Sequence, residues 1–249
     1  MTGLPASFFA QPFAHRALHD DDVAENSMAA IHAAVECGYG VEVDIQRSSD
    51  GVAMVFHDYD LKRLTGLAGP IAGRTAAELV QIQLSGGGGA IPTLAQVLDA
   101  VAGRVSLLVE IKDQDGALGP NVGPLEKAVC DALIGYNGDV ALMSFNPHSV
   151  AACETYAPHI PRGITTCPYQ AEDWPTVPAA VRNDHANISS FDRVNACFIS
   201  HQQDDLSSPH VAALKSRGVP IFCWTVRSAA MEAEARKIAD NITFEGYRA

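Results

Sequence analysis

Short apolar runs alternate with segments of helical periodicity along the whole chain. Apolar runs bounded by glycine, proline or polar residues are typical of buried strands. Eight segments fit this pattern, at residues 13–15, 41–46, 105–111, 139–144, 160–165, 196–200, 219–226 and 241–244. Apolar residues at helical spacing predict helices at residues 27–37, 94–102, 125–133, 209–217 and 229–239. The chain therefore belongs to the α/β class.

Eight strands that are mostly joined through helices predict a single (β/α)₈ TIM barrel over residues 1–249. An open doubly wound sheet is the alternative, but no Gly-x-Gly-x-x-Gly motif follows the first strand. The four-glycine run at residues 86–89 lacks a preceding strand and a following lysine, so we interpret it as a flexible loop. We find no repeat and no change in composition that would indicate a second domain.

A β-hairpin is predicted directly after the second strand. Asp50-Gly51 separates the run at 41–46 from a second apolar run at 52–56. Asp-Gly between two such runs is a strong signal for a two-residue turn, because both central positions need positive φ. In that register Asp44 lies directly opposite His57, which would bring a carboxylate and an imidazole into one small volume.

Composition and charge narrow the class of function. The 249 residues include 17 Lys and Arg against 29 Asp and Glu, for a net charge of −12. So acidic a chain argues against nonspecific binding of nucleic acids or anionic membranes. Six cysteines without a Cys-x-x-Cys pair are typical of reduced thiols in a cytoplasmic protein. Residues 1–14 do not resemble a signal peptide, and no apolar run suits a membrane anchor.

Charged residues end two of the predicted strands. Glu42 and Asp44 share one face of the second strand, and Glu110 and Lys112 share one face of the third. Active sites of such barrels lie at the carboxyl ends of the strands, so these side chains are expected to meet. Lys112 as an ion-pair partner is one explanation of the buried acid at Glu110. A metal shared by the three carboxylates is the interpretation we favour, and oxygen ligands favour Mg²⁺ or Ca²⁺ over zinc.

Two histidines and an arginine lie at the same predicted end of the barrel. His15 and Arg16 end the first strand, and His57 ends the hairpin. Two imidazoles can serve as general acid and general base near neutral pH. Arg16 offers a planar fork of donors for phosphate oxygens. A cation, a guanidinium and two imidazoles together describe a site that cleaves phosphodiesters.

The order of these motifs resembles that of the glycerophosphodiester phosphodiesterase family, a branch of the phospholipase-C-like phosphodiesterase barrels. The matching segments are His15-Arg16-Ala17, Ala24-Glu25-Asn26-Ser27, Glu42-Val43-Asp44, Asp50-Gly51, His57-Asp58, Glu110-Ile111-Lys112 and Trp224-Thr225-Val226-Arg227. Residues 61–65 and 91–94 are also similar to family segments. The resemblance covers nearly the whole chain.

The resemblance implies hydrolysis of a small-molecule glycerophosphodiester to glycerol 3-phosphate and an alcohol. It implies a divalent cation held by Glu42, Asp44 and Glu110, with Mn²⁺ as an option beside Mg²⁺ and Ca²⁺. It further implies the roles of the remaining site residues: His15 and His57 as the acid/base pair, Arg16 and Lys112 as phosphate-binding cations, and Trp224 in the wall of the substrate pocket. A homo-oligomer stays open as an option.

Several positions depart from the family pattern. Ala17 replaces a glycine, Ala24 a proline and Arg227 an asparagine, and residues 244–247 follow the family ending only loosely. Two alternatives to hydrolysis remain open, namely a phospholyase that forms a cyclic phosphate, as in sphingomyelinase-D-like enzymes, and a non-catalytic phosphate-ligand binder. The Glu110-x-Lys112 pair favours the hydrolase. Water and the glycerol 2-hydroxyl both remain candidates for the nucleophile.

Overall fold

Eight parallel strands close into a barrel in the computed structural model of this chain, which describes residues 3–249. The strands are β1 (Phe13–Ala14), β2 (Gly40–Arg47), β3 (Ala53–Val55), β4 (Leu107–Ile111), β5 (Val140–Ser144), β6 (Arg162–Thr166), β7 (Phe198–Gln202), β8 (Ile221–Val226) and β9 (Asn241–Phe244). Apart from β3, each pairs in parallel with the next along the chain, and β1 pairs with both β2 and β9. The predicted TIM barrel is confirmed.

Helices link most consecutive strands and cover the barrel. They are α1 (Met28–Glu36), α2 (Lys62–Thr65), α3 (Ala76–Leu79), α4 (Leu94–Val101), α5 (Pro124–Ala132), α6 (Pro147–Tyr156), α7 (Ala179–Ala186), α8 (Pro209–Ser216) and α9 (Ala229–Ala235). Polar caps set several of their starts. The Ser27 hydroxyl accepts a hydrogen bond from the Ala30 N–H, and Thr93 forms a capping box with Gln96. No helix within residues 3–249 combines the length and the apolar character needed to cross a membrane.

Strand β3 pairs antiparallel with β2, but not in the register that the sequence predicts. Ile45 lies opposite Val55 and Arg47 opposite Ala53, so the pairing is shifted by one residue. The prediction that Asp44 faces His57 is therefore wrong. Gly51 has a φ of +89°, whereas Asp50 is not among the residues with positive φ. The Ser48 hydroxyl binds Asp50 and the Val52 carbonyl, which stabilises a longer turn than the two-residue turn expected.

Large and small residues alternate around the barrel interior. Phe13 of β1 lies opposite Gly40 of β2, and Phe198 of β7 lies opposite Gly163 of β6. A Cβ atom on Gly40 would lie 2.7 Å from the Phe13 ring, and one on Gly163 would lie 2.5 Å from the Phe198 ring. These glycines therefore leave the space that the phenylalanines fill. Together the rings form a solid layer beneath the carboxyl end of the barrel.

A short 3₁₀ helix, Ala6–Phe9, closes the opposite end of the barrel. The Phe8 ring is fully buried and lies 5.3 Å from the Phe13 ring between centroids. The Asn241 side-chain amide donates to the carbonyls of Phe8 and Gln11 at 2.7 and 2.8 Å, which anchors the 3₁₀ helix to the barrel. Within residues 3–249 the barrel is thus closed at this end and open toward the carboxyl ends of its strands.

Candidate active site

All eight site residues predicted from the sequence line one cleft at the carboxyl end of the barrel. They are His15, Arg16, Glu42, Asp44, His57, Glu110, Lys112 and Trp224. His15 follows Phe13 by two positions, Glu42 follows Gly40 and Glu110 follows Leu108, while Asp44 and Lys112 stand two positions further along the chain than Glu42 and Glu110. The period of two along a strand therefore stacks the polar layer on the apolar one.

Three buried carboxylates converge in this cleft. Asp44 of β2 lies beside Glu110 of β4 in the parallel register, and Glu42 faces the same interior. One oxygen from each of the three carboxylates lies within 4.8 Å of the other two. None of the three residues is more than 6% exposed. Like charges this close repel each other strongly unless cations are present.

Lys112 balances part of this negative charge. Its Nζ lies 2.5 Å from Glu110 Oε1 and 2.7 Å from Asp44 Oδ1. Burial alone would raise the pKa of Asp44, but the positive charge of Lys112, with nearby cations, holds that pKa well below its usual range. Glu42 behaves in the opposite way, since burial and the charges of Asp44 and Glu110 raise its pKa well above the usual range. Glu42 is therefore the carboxylate of the cluster whose ionised form most needs a further cation.

The loop after β1 has a strained backbone that aims Arg16 into the cleft. Arg16 and Ala17 have φ values of +52° and +65°, a region that strongly favours glycine. In this conformation the Arg16 N–H donates to Glu42 Oε2 at 2.8 Å. The Ala17 N–H donates to the Glu42 carbonyl at 2.9 Å. Strain of this kind is common at functional sites, where the surroundings hold the backbone in place.

The Arg16 side chain is anchored by two carboxylates and still lines the cleft. Its Nη1 donates to Glu25 Oε1 at 2.9 Å, and its Nε lies 3.6 Å from Asp44 Oδ2 as a long ion pair. The Nε is buried and has no hydrogen-bond partner within residues 3–249. The side chain as a whole is 20% exposed, so its guanidinium can still meet a ligand in the cleft.

Asn26 holds the carboxylate of Asp44. Its Nδ2 donates to Asp44 Oδ2 at 2.9 Å, and its Oδ1 accepts from the Asp44 N–H at 3.3 Å. Asn26 itself has a φ of +57° and is buried. The glycine run at residues 86–89 packs against this loop, because a Cβ on Gly88 would lie 2.4 Å from the Ser27 hydroxyl oxygen. The run is thus a close-packed support, a role that its interpretation as a flexible loop missed.

His57 is held by a chain of charged side chains. Its Nδ1 lies 2.7 Å from Asp58 Oδ1, and Arg63 of α2 binds the same carboxylate at 2.7 Å. Arg63 also donates to both Glu25 oxygens, at 2.7 and 2.8 Å. Because Glu25 binds Arg16 as well, one network connects Arg16 to His57 across the cleft. An ionised carboxylate only accepts, so the His57 Nδ1 is the donor and its Nε2 is left for a ligand.

His15, like His57, binds a carboxylate, which in this case lies just after the last strand of the barrel. Its Nδ1 lies 2.5 Å from Oε2 of Glu245, which directly follows β9. Arg227 holds Glu245 from the other side, with its Nε 2.7 Å from Oε1. Burial lowers the pKa of His15 and the hydrogen bond to Glu245 opposes that effect. Arg227, a departure from the family pattern, thus binds a carboxylate next to the cleft rather than pointing freely into solvent.

Five residues of these networks were not assigned a role from the sequence. Glu25, Asn26, Asp58 and Glu245 each bind a residue of the cleft, and Arg63 holds Asp58 and Glu25. Asp58 carried a signal, because it directly follows His57 in a matching segment. Glu245 lies 230 residues from His15, so only closure of the barrel brings the two together.

The carboxylates present fit a divalent cation. Three oxygen ligands that lie this close together suit a hard cation such as Mg²⁺ or Ca²⁺, which would also stabilise the ionised form of Glu42. Lys112 occupies one oxygen each of Asp44 and Glu110, so the ion-pair and metal explanations do not exclude each other.

The sequence matches the glycerophosphoryl diester phosphodiesterase family over residues 15–242. A glycerophosphodiester phosphodiesterase of Caldanaerobacter subterraneus subsp. tengcongensis is 29% identical over 240 residues, which cover 92% of this chain and 91% of the relative. A Bacillus subtilis protein without an assigned function, YqiK, is 31% identical over 72% of this chain and 76% of its own.

Solved structures share the fold. An Oleispira antarctica phosphodiesterase, solved in complex with the product sn-glycerol-3-phosphate, superposes with a TM-score of 0.78 at 22% identity, over 97% of this chain and 93% of that chain. A glycerophosphodiester phosphodiesterase from Parabacteroides distasonis gives a TM-score of 0.74 at 23% identity, over 93% and 91% of the two chains. At these identities the structures support the barrel architecture.

Proposed function

The chain belongs to the glycerophosphoryl diester phosphodiesterase family, and on that premise we propose that it hydrolyses glycerophosphodiesters to sn-glycerol 3-phosphate and an alcohol. The observation that carries this proposal is the cleft itself. It joins three carboxylates, two cations and two imidazoles at the open end of the barrel. The product bound to the Oleispira antarctica relative is the one that this reaction would release.

Arg16 and Lys112 are proposed to bind the phosphate. Arg16 lines the cleft, and its guanidinium would donate to a phosphate oxygen. Lys112 adds a charge that two carboxylates hold in place. Trp224 forms part of the wall and is fixed by its Nε1, which donates to the Ser200 carbonyl at 3.0 Å. These groups would orient the diester before any bond changes.

His15 and His57 are proposed to move the protons. One imidazole would take the proton of the attacking hydroxyl as its oxygen bonds to phosphorus. The other would donate a proton to the alcohol oxygen as the P–O bond breaks. In each histidine the Nδ1 is bound by a carboxylate, which leaves the Nε2 for these transfers. Attack by water would give glycerol 3-phosphate directly. Attack by the glycerol 2-hydroxyl would expel the alcohol and leave a cyclic phosphate, which water would then open to glycerol 3-phosphate with the two imidazoles in exchanged roles.

Glu42, Asp44 and Glu110 are proposed to hold a divalent cation, Mg²⁺ or Ca²⁺ with Mn²⁺ as a further option. When bound, such a cation neutralises charge on the phosphate oxygens and so favours the transition state. Asn26 would keep the Asp44 carboxylate in its ligating orientation through the hydrogen bond to Oδ2.

We further propose that the chain acts as a single barrel domain in the cytoplasm. All six cysteines are free thiols in the structure, which suits a reducing compartment. The substrate is proposed to be a small diester rather than a nucleic acid, given the acidic composition.

The test is release of glycerol 3-phosphate from glycerophosphodiesters with added Mg²⁺, Ca²⁺ or Mn²⁺. The proposal expects turnover in the wild type and a loss of about 10²–10⁴-fold in a His57→Ala variant that remains folded. Full activity of that variant would remove His57 from the mechanism. Accumulation of a cyclic phosphate as the final product would instead favour the phospholyase.

A further inference from the structure

A second cavity of about 470 Å³ opens beside the catalytic cleft. Five residues line both spaces: His57, Glu110, Lys112, Phe145 and Trp224. We use the name aromatic annex for the apolar wall of the second cavity, which consists of Tyr59, Leu118, Phe145, Trp174 and Trp224. When the phosphate of a diester lies in the cleft, its alcohol part can therefore extend into the annex without crossing the barrel wall.

The aromatic rings face this space from different directions. The Phe145 ring lies 5.4 Å from the Trp224 ring at an interplanar angle of 87°. It lies 5.1 Å from the Trp174 ring at an angle of 55°. At these separations the rings pack against one another and form one continuous aromatic wall along the cavity. The π faces of such a wall attract a cation that has lost part of its hydration.

Two carboxylates give the second cavity a negative field. Asp113 lies in its wall, where its oxygens accept from backbone N–H groups and from the Asn146 amide, all of them neutral donors. Asp173 lies exposed beside Trp174 and also lines the cavity. Neither carboxylate forms an ion pair within residues 3–249, whereas the nearby Asp58 is paired with Arg63. The ammonium of Lys112 points to Asp44 and Glu110, so it does not neutralise them.

We propose that the aromatic annex binds the quaternary ammonium of a choline-type alcohol, which makes diesters of such alcohols the preferred substrates. This proposal rests on the proposed diesterase function. A trimethylammonium group has no donors to satisfy and carries its charge on methyl groups, so aromatic faces and a diffuse negative field match it. An anionic head group would be repelled by Asp113 and Asp173.

A neutral alternative occupant fits the cavity less well. A polyol head group would bury hydroxyls against a mostly apolar wall without partners for them. An acyl chain would gain from the apolar wall but would take water away from the Asp173 carboxylate without offering it a cation. The combination of rings and unpaired carboxylates therefore selects a cationic occupant over both.

The test compares two diesters of the same size and shape. One is glycerophosphocholine, and the other carries 3,3-dimethylbutanol, in which carbon replaces the nitrogen and the charge is lost. Both release sn-glycerol 3-phosphate, so one assay with added Mg²⁺ or Ca²⁺ reads both. We expect kcat/KM to be about 5- to 30-fold higher for the choline diester. Trp174→Leu and Asp173→Asn should each lower this ratio, mainly through the choline diester.

Glu172→Gln is the matched control, because it removes a neighbouring exposed acid that does not line the second cavity. It should keep the wild-type ratio. Asp173 is exposed, so its variant keeps the fold even if the packing of Trp174 does not tolerate leucine. Equal kcat/KM for the two diesters, or a ratio that neither annex variant changes, overturns the proposal but leaves the diesterase intact.

A glycerophosphodiester of 1-hexanol supplies the remaining arm of the test. Its leaving alcohol is an uncharged alkyl chain, so a higher kcat/KM for it than for glycerophosphocholine would show that the annex prefers an apolar chain and would overturn the cationic assignment. Failure to release glycerol 3-phosphate from any of these glycerophosphodiesters would instead overturn the proposed function, and the annex proposal with it.

Discussion

The His15 imidazole and the Glu245 carboxylate lie 2.5 Å apart, between the first and the last strand of the barrel. Glu245→Gln keeps the size of the side chain but removes its charge. Because Glu245 raises the pKa of His15 against the effect of burial, its loss should lower that pKa further. We expect kcat/KM to fall about 10- to 100-fold. The limb of the pH–rate profile that reports His15 should move to lower pH, whether His15 is the base or the acid.

Glu234→Gln is the matched control, since Glu234 lies on the outer helix α9 and is 72% exposed. It should leave both rate and profile unchanged. An unaltered pH profile in Glu245→Gln would show that the carboxylate only supports the fold.

Arg63 should matter for catalysis although it does not line the cleft. Its guanidinium makes four hydrogen bonds that join Glu25 to Asp58, and Asp58 orients His57. Arg63→Met leaves two carboxylates facing each other without a cation. We expect kcat to fall about 10-fold and stability to fall by about 1–2 kcal/mol, given that the side chain is half exposed. Lys62→Met, which removes the adjacent exposed cation, should change neither quantity.

Metal binding should be measurable without substrate. A cation that binds only the native state raises the thermal midpoint. We expect Mg²⁺, Ca²⁺ or Mn²⁺ to raise the midpoint of the wild type, and a chelator to reverse this and abolish activity. Glu42→Gln should lose the shift. In the absence of metal the same variant should be more stable than the wild type, because it removes one of three mutually repelling buried charges. An equal metal-induced shift in both proteins would exclude Glu42 as a ligand.

The buried His185 should contribute to acid sensitivity. Its two ring nitrogens are buried and lack hydrogen-bond partners within residues 3–249, and burial lowers its pKa. The unfolded chain therefore binds more protons than the native state once the pH falls below the ordinary histidine range. Above about pH 6.5, the pKa of histidine in the unfolded chain, His185 does not reduce the free energy of unfolding. That free energy decreases as the pH falls below this value.

We expect His185→Leu to show a smaller loss of unfolding free energy between pH 7 and pH 5 than the wild type. Denaturant titrations at the two pH values measure this difference. His159→Leu, at an exposed position, should keep the wild-type dependence. The same pH dependence in both variants would remove His185 as a cause.

The barrel and the members of the cleft could be predicted from the sequence because both depend on local signals. Strand period places Glu42 with Asp44 and Glu110 with Lys112 on shared faces, and strand ends of a parallel barrel meet at one side. The hairpin register could not be predicted, because Asp-Gly fits more than one turn and the Ser48 hydroxyl decides between them. The partner of His15 depends on closure of the barrel, and the support of Asp58 by Arg63 depends on α2; local patterns encode neither.

The pairing of Phe13 with Gly40 has a consequence for how variation in this chain acts on activity. His15 and Glu42 stand two residues further along the same two strands, so the aromatic layer fixes the height and spacing of both. A methyl group added at Gly40 would meet the Phe13 ring at 2.7 Å and push the two strands apart from below. Residues that lie outside the cleft thus set the spacing of the proposed acid/base group His15 and the proposed metal ligand Glu42. A variant that still folds and still binds a metal can therefore lose its turnover through a change in the aromatic layer beneath the cleft.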